Sequence, residues 1–169
     1  SCTPICLDTQ GAQIRTGSFT NGSVELETGT IVELVAASEM GSETRIPIYP
    51  ALVLPQLAMG DLLTLDNAAV PIQVIEEGPN WRARVLNGGN VGSNKAATID
   101  RTISLPHLTD ADREAIETGL RVGVKHYALS FANRRSDVES LRALVGDDME
   151  IISKIESRSG LRNLQDIMA

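Results

Sequence analysis

A change of hydrophobic period constrains this chain more than any other feature. From residue 18 to about residue 88, short runs rich in Val, Ile, Leu and Thr show the partial alternation of half-buried strands. Examples are "VELETGTIVELVA", "DLLTLD", "VPIQVIEEG" and "WRARVLNGG". Gly22, Gly29, Gly41, Gly60, Gly78 and Gly88-Gly89 punctuate them, and Pro47, Pro50, Pro55 and Pro71 belong at strand ends, edges or turns. After about residue 105 the period becomes helical. Thr109 is placed to cap a helix with Asp112 three residues on, and Gly123 to end it. Ser136 and Glu139 form the capping box of a second helix that Gly146 stops. "VKHYALSF" reads as a buried strand between the two helices, "MEIISKIE" as another, and "SGLRNLQDIMA" as the start of a further helix. Strands and helices in alternation predict parallel βαβ units.

A short strand at residues 3–8 precedes all of this. An α/β fold therefore starts at once, breaks off for an all-β insertion of small-barrel or sandwich type, and resumes. The expected organisation is a barrel strand and turn at 1–17, an all-β domain at 18–88, and barrel βα units at 89–169. One early strand and two or three later ones do not close a (β/α)8 barrel, which takes ~250 residues. The 169 residues are therefore expected to be a segment of a longer protein, or one piece that pairs with another.

Apolar residues make up 42% and aromatics 3%, so Ile, Leu, Val and Ala must build the core. The net charge of −7, with no basic run beyond Arg134-Arg135, argues against a nucleic-acid partner. A small anionic substrate is compatible with it, because a few local cations suffice. Cys2 and Cys6 have no second pair and no His cluster beside them, so no zinc site is expected, and Cys6 reads as a small buried hydrophobe. No signal peptide and no apolar run near ~18 residues is seen, so no membrane span and a cytoplasmic setting are expected.

Parallel α/β folds place their chemistry at the C-terminal strand ends. Here those ends carry Asp8 and Thr9, then Ser130, then Lys154 and Glu156. Lys154 and Glu156, two apart on an expected strand, point the same way. They are either a salt bridge at the barrel mouth or a catalytic pair, with Glu on a divalent cation and Lys against a transferring group. Asp8 and Thr9 suit a hard cation or an ordinary turn. Arg15 faces a phosphate or solvates a turn. "NVGSNK" after Gly88-Gly89 is a phosphate-cradling loop with Lys95 as its charge or, more commonly, a plain turn. His107 and His126 lack partners at ligand spacing and read as structural.

Taken in order, "LDTQGAQIRTG", "GDLLTLD", "LNGGNVGSNK", "LPHLTDADREAI", "ALSFANRRSDVESLR" and "IISKIESRSGLRNLQDI" resemble the pyruvate kinase family along essentially the whole chain. The resemblance implies a (β/α)8 barrel interrupted after its third strand by a small all-β lid. It also implies conversion of ADP and phosphoenolpyruvate to ATP and pyruvate, with Mg2+ and commonly K+. By the same resemblance, Asp8 and Thr9 match potassium ligands and Glu156 one of two magnesium carboxylates. Lys154 matches the lysine that stabilises the phosphoryl group in flight. Arg15 matches an arginine facing the phosphates, and Lys95 a lysine reaching nucleotide phosphates. The complete protein would then be a homo-oligomer.

The chain departs from the family pattern at identifiable places. Gln10, Ala12 and Gln13 stand where the family has Lys, Pro and Glu; Asp66-Asn67-Ala68 replaces Asp-Asp-Gly; "AATIDR", starting at Ala96, replaces Gly-Val-Asn-x-Pro-Gly; and Asn133 replaces Arg. The family's Arg-x-Asn-Phe-Ser strand would lie before residue 1. Its Gly-Asp-Leu-Gly segment, with the second magnesium carboxylate, would lie after Ala169. Two alternatives stay open: a related barrel enzyme acting on another enol or oxo acid, and a non-catalytic binding protein on the same scaffold.

Overall fold

The structure, a computed structural model, describes residues 3–11, 13–67 and 69–169. Cys2, Ala12 and Ala68, named above, lie outside the described residues. Strands β1 (Cys6–Asp8), β2 (Ile14–Thr16), β3 (Ser23–Leu26), β4 (Ile31–Ala36), β5 (Arg45–Tyr49) and β6 (Leu62–Leu65) come first. Then follow β7 (Val70–Glu76), β8 (Trp81–Val85), β9 (Gly89–Gly92), β10 (Ala96–Ile99) and helix α1 (Asp110–Arg121). The chain continues through β11 (His126–Leu129), α2 (Arg135–Val145), β12 (Glu150–Ser153), α3 (Arg158–Arg162) and α4 (Leu164–Met168). They fall into two compact units. One is Gln13–Leu105; the other combines the residues up to Ala12 with Pro106–Ala169.

In the first unit β10-β2-β5-β4-β8-β7-β6 close into a barrel, β10 pairing with β6 to complete the ring. The alternation seen in the sequence is the reason. Val70, Ile72 and Val74 of β7 point inward while Pro71, Gln73 and Ile75 do not, and Ala83 and Val85 of β8 alternate with Arg82 and Arg84. Val32, Ile46, Ile48, Leu63, Leu65, Val70 and Ile72 are fully buried there. Each contributes roughly 1.5–3 kcal/mol by leaving water.

Neighbouring strands run antiparallel except β4 and β5, which are parallel. Pro47 lies inside β5, a strand with neighbours on both sides, and not at a strand end, edge or turn as expected. In the parallel register Glu33 N–H donates to Thr44 and Ala37 N–H to Ile48, so Pro47 turns its edge to the β2 side. There the pairing with β2 ends at Ile48, and Pro47 offers only its carbonyl, to Gly17 N–H. Strand β9 pairs with β3, so Gly88-Gly89 opens a strand. This unit spans Gln13–Leu105 rather than the expected 18–88; β2 pairs with both β5 and β10, so residues 14–16 and 96–99 join the barrel, while β9 pairs with β3 outside it.

The second unit is an α/β unit built on a three-stranded parallel sheet, β1-β11-β12. Its core joins Leu108, Ile116, Tyr127, Leu129, Leu141 and Val145 with Leu7, Val138 and Ile151. Gly119 of α1 lets the helix sit on the sheet: a Cβ there would stand 3.0 Å from Leu7 Cδ1 and 3.1 Å from Tyr127 Oη. Thr109 and Asp112 form the expected capping box of α1. The cap of α2 falls two residues ahead of the expected box, at Arg134 rather than Ser136. Asp137, not Glu139, accepts the N–H groups of Asn133 and Arg134, 3.0 Å each, while Glu139 pairs with Arg135 at 2.8 Å. Cys6 is exposed, contrary to expectation. Leu7 is the residue of β1 that packs on the helical side, so the pleat turns Cys6 and Asp8 to the opposite face. No helix among the described residues is long and apolar enough to cross a membrane.

Candidate functional site

The polar residues at the tips of β1, β11 and β12 converge. Lys154 and Glu156 lie just past the end of β12 rather than on it, yet their side chains still meet, Nζ to Oε1 3.5 Å. The Lys154 ammonium also lies 3.0 Å from Asp8 Oδ2 and 3.0 Å from Ser130 Oγ. Glu156 is oriented by the Phe131 N–H, which donates to Oε2 at 3.0 Å. Thr9 is buried: its N–H donates to Ala128 C=O, and its Oγ1 accepts the Ser130 N–H at 3.0 Å.

The hydrogen bond to Asp8 is the main cause raising the Lys154 ammonium above its ordinary pKa. Partial burial opposes it, and the charges of Asp8 and Glu156 add to it. A lysine held protonated in this way is no proton acceptor; it is a fixed positive charge beside exposed carboxylate oxygens.

Asp112 supports this end of the sheet. Its buried carboxylate accepts the N–H of Gln10 at 2.6 Å and of Gly11 at 3.2 Å while capping α1 through Thr109. The capping box was legible in sequence; its second task, holding the turn that follows Asp8 and Thr9, was not.

Arg15 and Lys95 belong to the all-β unit and lie near each other there. Arg15 is on β2 and donates to Asn94 C=O at 3.0 Å and to Gln13 Oε1 at 2.6 Å, while its buried Nε has no partner among the described residues. Lys95 is tied by its backbone to Thr16. Asn133 bonds the Ser157 hydroxyl, and its carbonyl accepts from Asn163 at 2.8 Å. His126 faces Glu150 across two strands at 3.2 Å, and His107 lies 3.8 Å from Asp137. Among the described residues no three His, Cys, Asp or Glu side chains gather as a metal cluster; the oxygens near Lys154 come from two carboxylates and the Ser130 hydroxyl, which itself donates to the Thr9 carbonyl.

A family model described as the barrel domain of pyruvate kinase matches residues 2–169. The pyruvate kinase of Sporosarcina psychrophila is 31% identical over 172 residues, covering 97% of this chain and 29% of that protein. That of Encephalitozoon cuniculi is 34% identical over 165 residues, with coverages of 96% and 38%. That of Thermoplasma acidophilum is 34% identical over 168 residues, with coverages of 97% and 29%. The chain thus spans about a third of the length of these relatives.

Proposed function

The chain belongs to the pyruvate kinase family, and from that premise we propose that it is a segment of a phosphotransferase converting phosphoenolpyruvate and ADP to pyruvate and ATP. The observation that carries this reading is the Lys154 ammonium seated among Asp8, Ser130 and Glu156 at the tips of a parallel sheet. Phosphoryl transfer asks little covalent work of a protein; it needs preorganised positive charge around the moving group. Lys154 supplies that charge in this reading, and the Asp8 and Glu156 carboxylates raise its pKa above the ordinary lysine value. Arg15, with its unpartnered Nε among the described residues, is suited to an anion, and Lys95 would reach nucleotide phosphates. The all-β unit would act as the lid.

The donor set at the strand tips is all oxygen, which fits hard cations. Glu156 would hold Mg2+, an ion that takes one or two carboxylates and leaves other positions to substrate and water. Asp8 and Thr9 would hold K+. Bound there, the two ions supply further neutralisation of phosphate charge. The remaining barrel strands, from the rest of the protein or a partner chain, would complete the site in a cytoplasmic homo-oligomer.

The test is direct. The complete protein, given phosphoenolpyruvate, ADP, Mg2+ and K+, is expected to form ATP, read by coupled luminescence; no ATP above a protein-free control would overturn the reading. The lost charges favour one second reading, transfer to or from another enol or oxo acid. Gln13 takes one Arg15 nitrogen at 2.6 Å, and Asn133 is engaged by Ser157 and Asn163. A screen of such acids with Mg2+ separates the two.

A further inference from the structure

We propose that Ser130 is a positioning residue for Lys154, its buried hydroxyl forming the third side of the seat that holds the ammonium. The inference rests on the function proposed above. An ammonium has three N–H donors. Around Nζ stand Asp8, with Oδ2 at 3.0 Å and Oδ1 at 3.2 Å, Ser130 Oγ at 3.0 Å and Glu156 Oε1 at 3.5 Å, each residue from the tip of a different strand or the loop that follows it. Two carboxylates on partly exposed side chains do not define a point, because the ammonium can swing toward either. A third acceptor on a rigid support does define one.

Ser130 has that rigidity. It is 4% exposed, whereas the side chains of Asp8 and Lys154 are 57% and 33% exposed. Its hydroxyl carries one proton. The nearest acceptor is the Thr9 carbonyl at 2.6 Å, with Asp8 Oδ1 farther off at 3.1 Å. The proton therefore goes to Thr9, and what faces Nζ is a lone pair. The Ser130 N–H is itself tied to Thr9 Oγ1, and the Lys154 N–H to Leu129 C=O at 2.9 Å, so both ends of the contact are held by backbone. Gly11 closes the turn over this point. A Cβ at Gly11, where φ is +69°, would stand 3.1 Å from both Ser130 Cβ and Ser130 O.

The test is a double-mutant cycle in the complete protein with Ser130→Ala, Lys154→Ala and both together. Ser130→Ala is expected to lower kcat roughly 10–100-fold, the cost of one hydrogen bond to a charged group, while KM for phosphoenolpyruvate moves less than about threefold. In the Lys154→Ala background the same change should alter kcat less than about twofold, since the group it positions is gone. An equal loss in both backgrounds, or none in either, overturns the proposal. Should alanine impair folding, Ser130→Cys keeps the side chain's size while weakening its hydrogen bonds, and the same non-additivity is expected. A second readout needs no turnover: the 15N spectrum of lysine ammonium groups. The Lys154 signal, assigned by its absence in Lys154→Ala, should be visible in the unsubstituted protein and lost to solvent exchange in Ser130→Ala. If it persists unchanged, the seat does not depend on Ser130. If the complete protein makes no ATP while the signal responds as stated, the functional reading fails and the seat stands.

Discussion

The two units of this protein use similar aliphatic residues to different ends. In Gln13–Leu105 the strands close on themselves, so backbone groups find partners around the ring and inward side chains need only fill space. Among the described residues, the buried polar side chains of that unit are Thr16 and Asp61, and both brace loops. In the α/β unit Thr9, Asp112, Ser130 and Asp137 are buried, and they cluster at strand tips and helix starts. There the strands break off into turns whose amides and carbonyls need side-chain partners. In the α/β unit the turns that follow parallel strands have no hairpin partner for their amides and carbonyls, so buried polar side chains gather at those turns, and there chemistry becomes possible.

The largest effect is expected at Lys154. Lys154→Ala in the complete protein is expected to lower turnover by at least roughly a thousandfold. It should change stability by less than about 1 kcal/mol, since the pair with Asp8 is partly exposed. A turnover loss under tenfold would mean that the α/β unit also uses its polar tips only for structure. In the barrel the large effect should fall on stability instead. Leu65→Ala, at a fully buried inward position, is expected to cost about 2–5 kcal/mol by urea denaturation.

Asp61 is the counterpart in the β unit, a carboxylate buried there beside Arg101. The hydrogen bond from Arg101 is the main cause holding its pKa below the ordinary 3.8; burial opposes it. A carboxyl depressed in the folded state adds stability above its unfolded value, and that stability is lost as pH falls through the lower folded value. The barrel should therefore weaken as pH drops below about 4. Asp61→Asn should flatten that slope and cost about 1–3 kcal/mol at neutral pH, both read from denaturation midpoints across pH. Gly119→Ala comes next, at about 1–3 kcal/mol from crowding Leu7 and Tyr127, measured by thermal unfolding. Arg45→Gln, which breaks exposed pairs with Glu33 and Glu39, should move stability by no more than about 0.5 kcal/mol.

The sequence by itself determined whatever interactions a few residues apart can decide. The inward alternation of Val70, Ile72 and Val74 follows from the period of a strand. The Thr109 and Asp112 box closes over three residues, and Gly123 and Gly146 end their helices with φ of +83° and +86°. The polar character of the three strand tips was legible for the same reason. The start of α2 is not legible locally, because Ser136 with Glu139 and Arg134 with Asp137 have the same spacing, and only the extended conformation of Arg134 selects the second.

Tertiary structure decided the rest. Whether residues 14–16 and 96–99 join the barrel depends on pairing across some eighty positions, which leaves no local signature. The parallel pairing of β4 with β5, the tolerance of Pro47 inside a strand and the exposure of Cys6 depend on which neighbour each edge and face finds. Asp8 and Ser130 are 122 residues apart and Asp8 and Lys154 are 146 apart, yet their side chains meet within about 3 Å. A hydrogen bond between such positions is set by the register of two parallel pairings, and register exists only once the strands lie side by side.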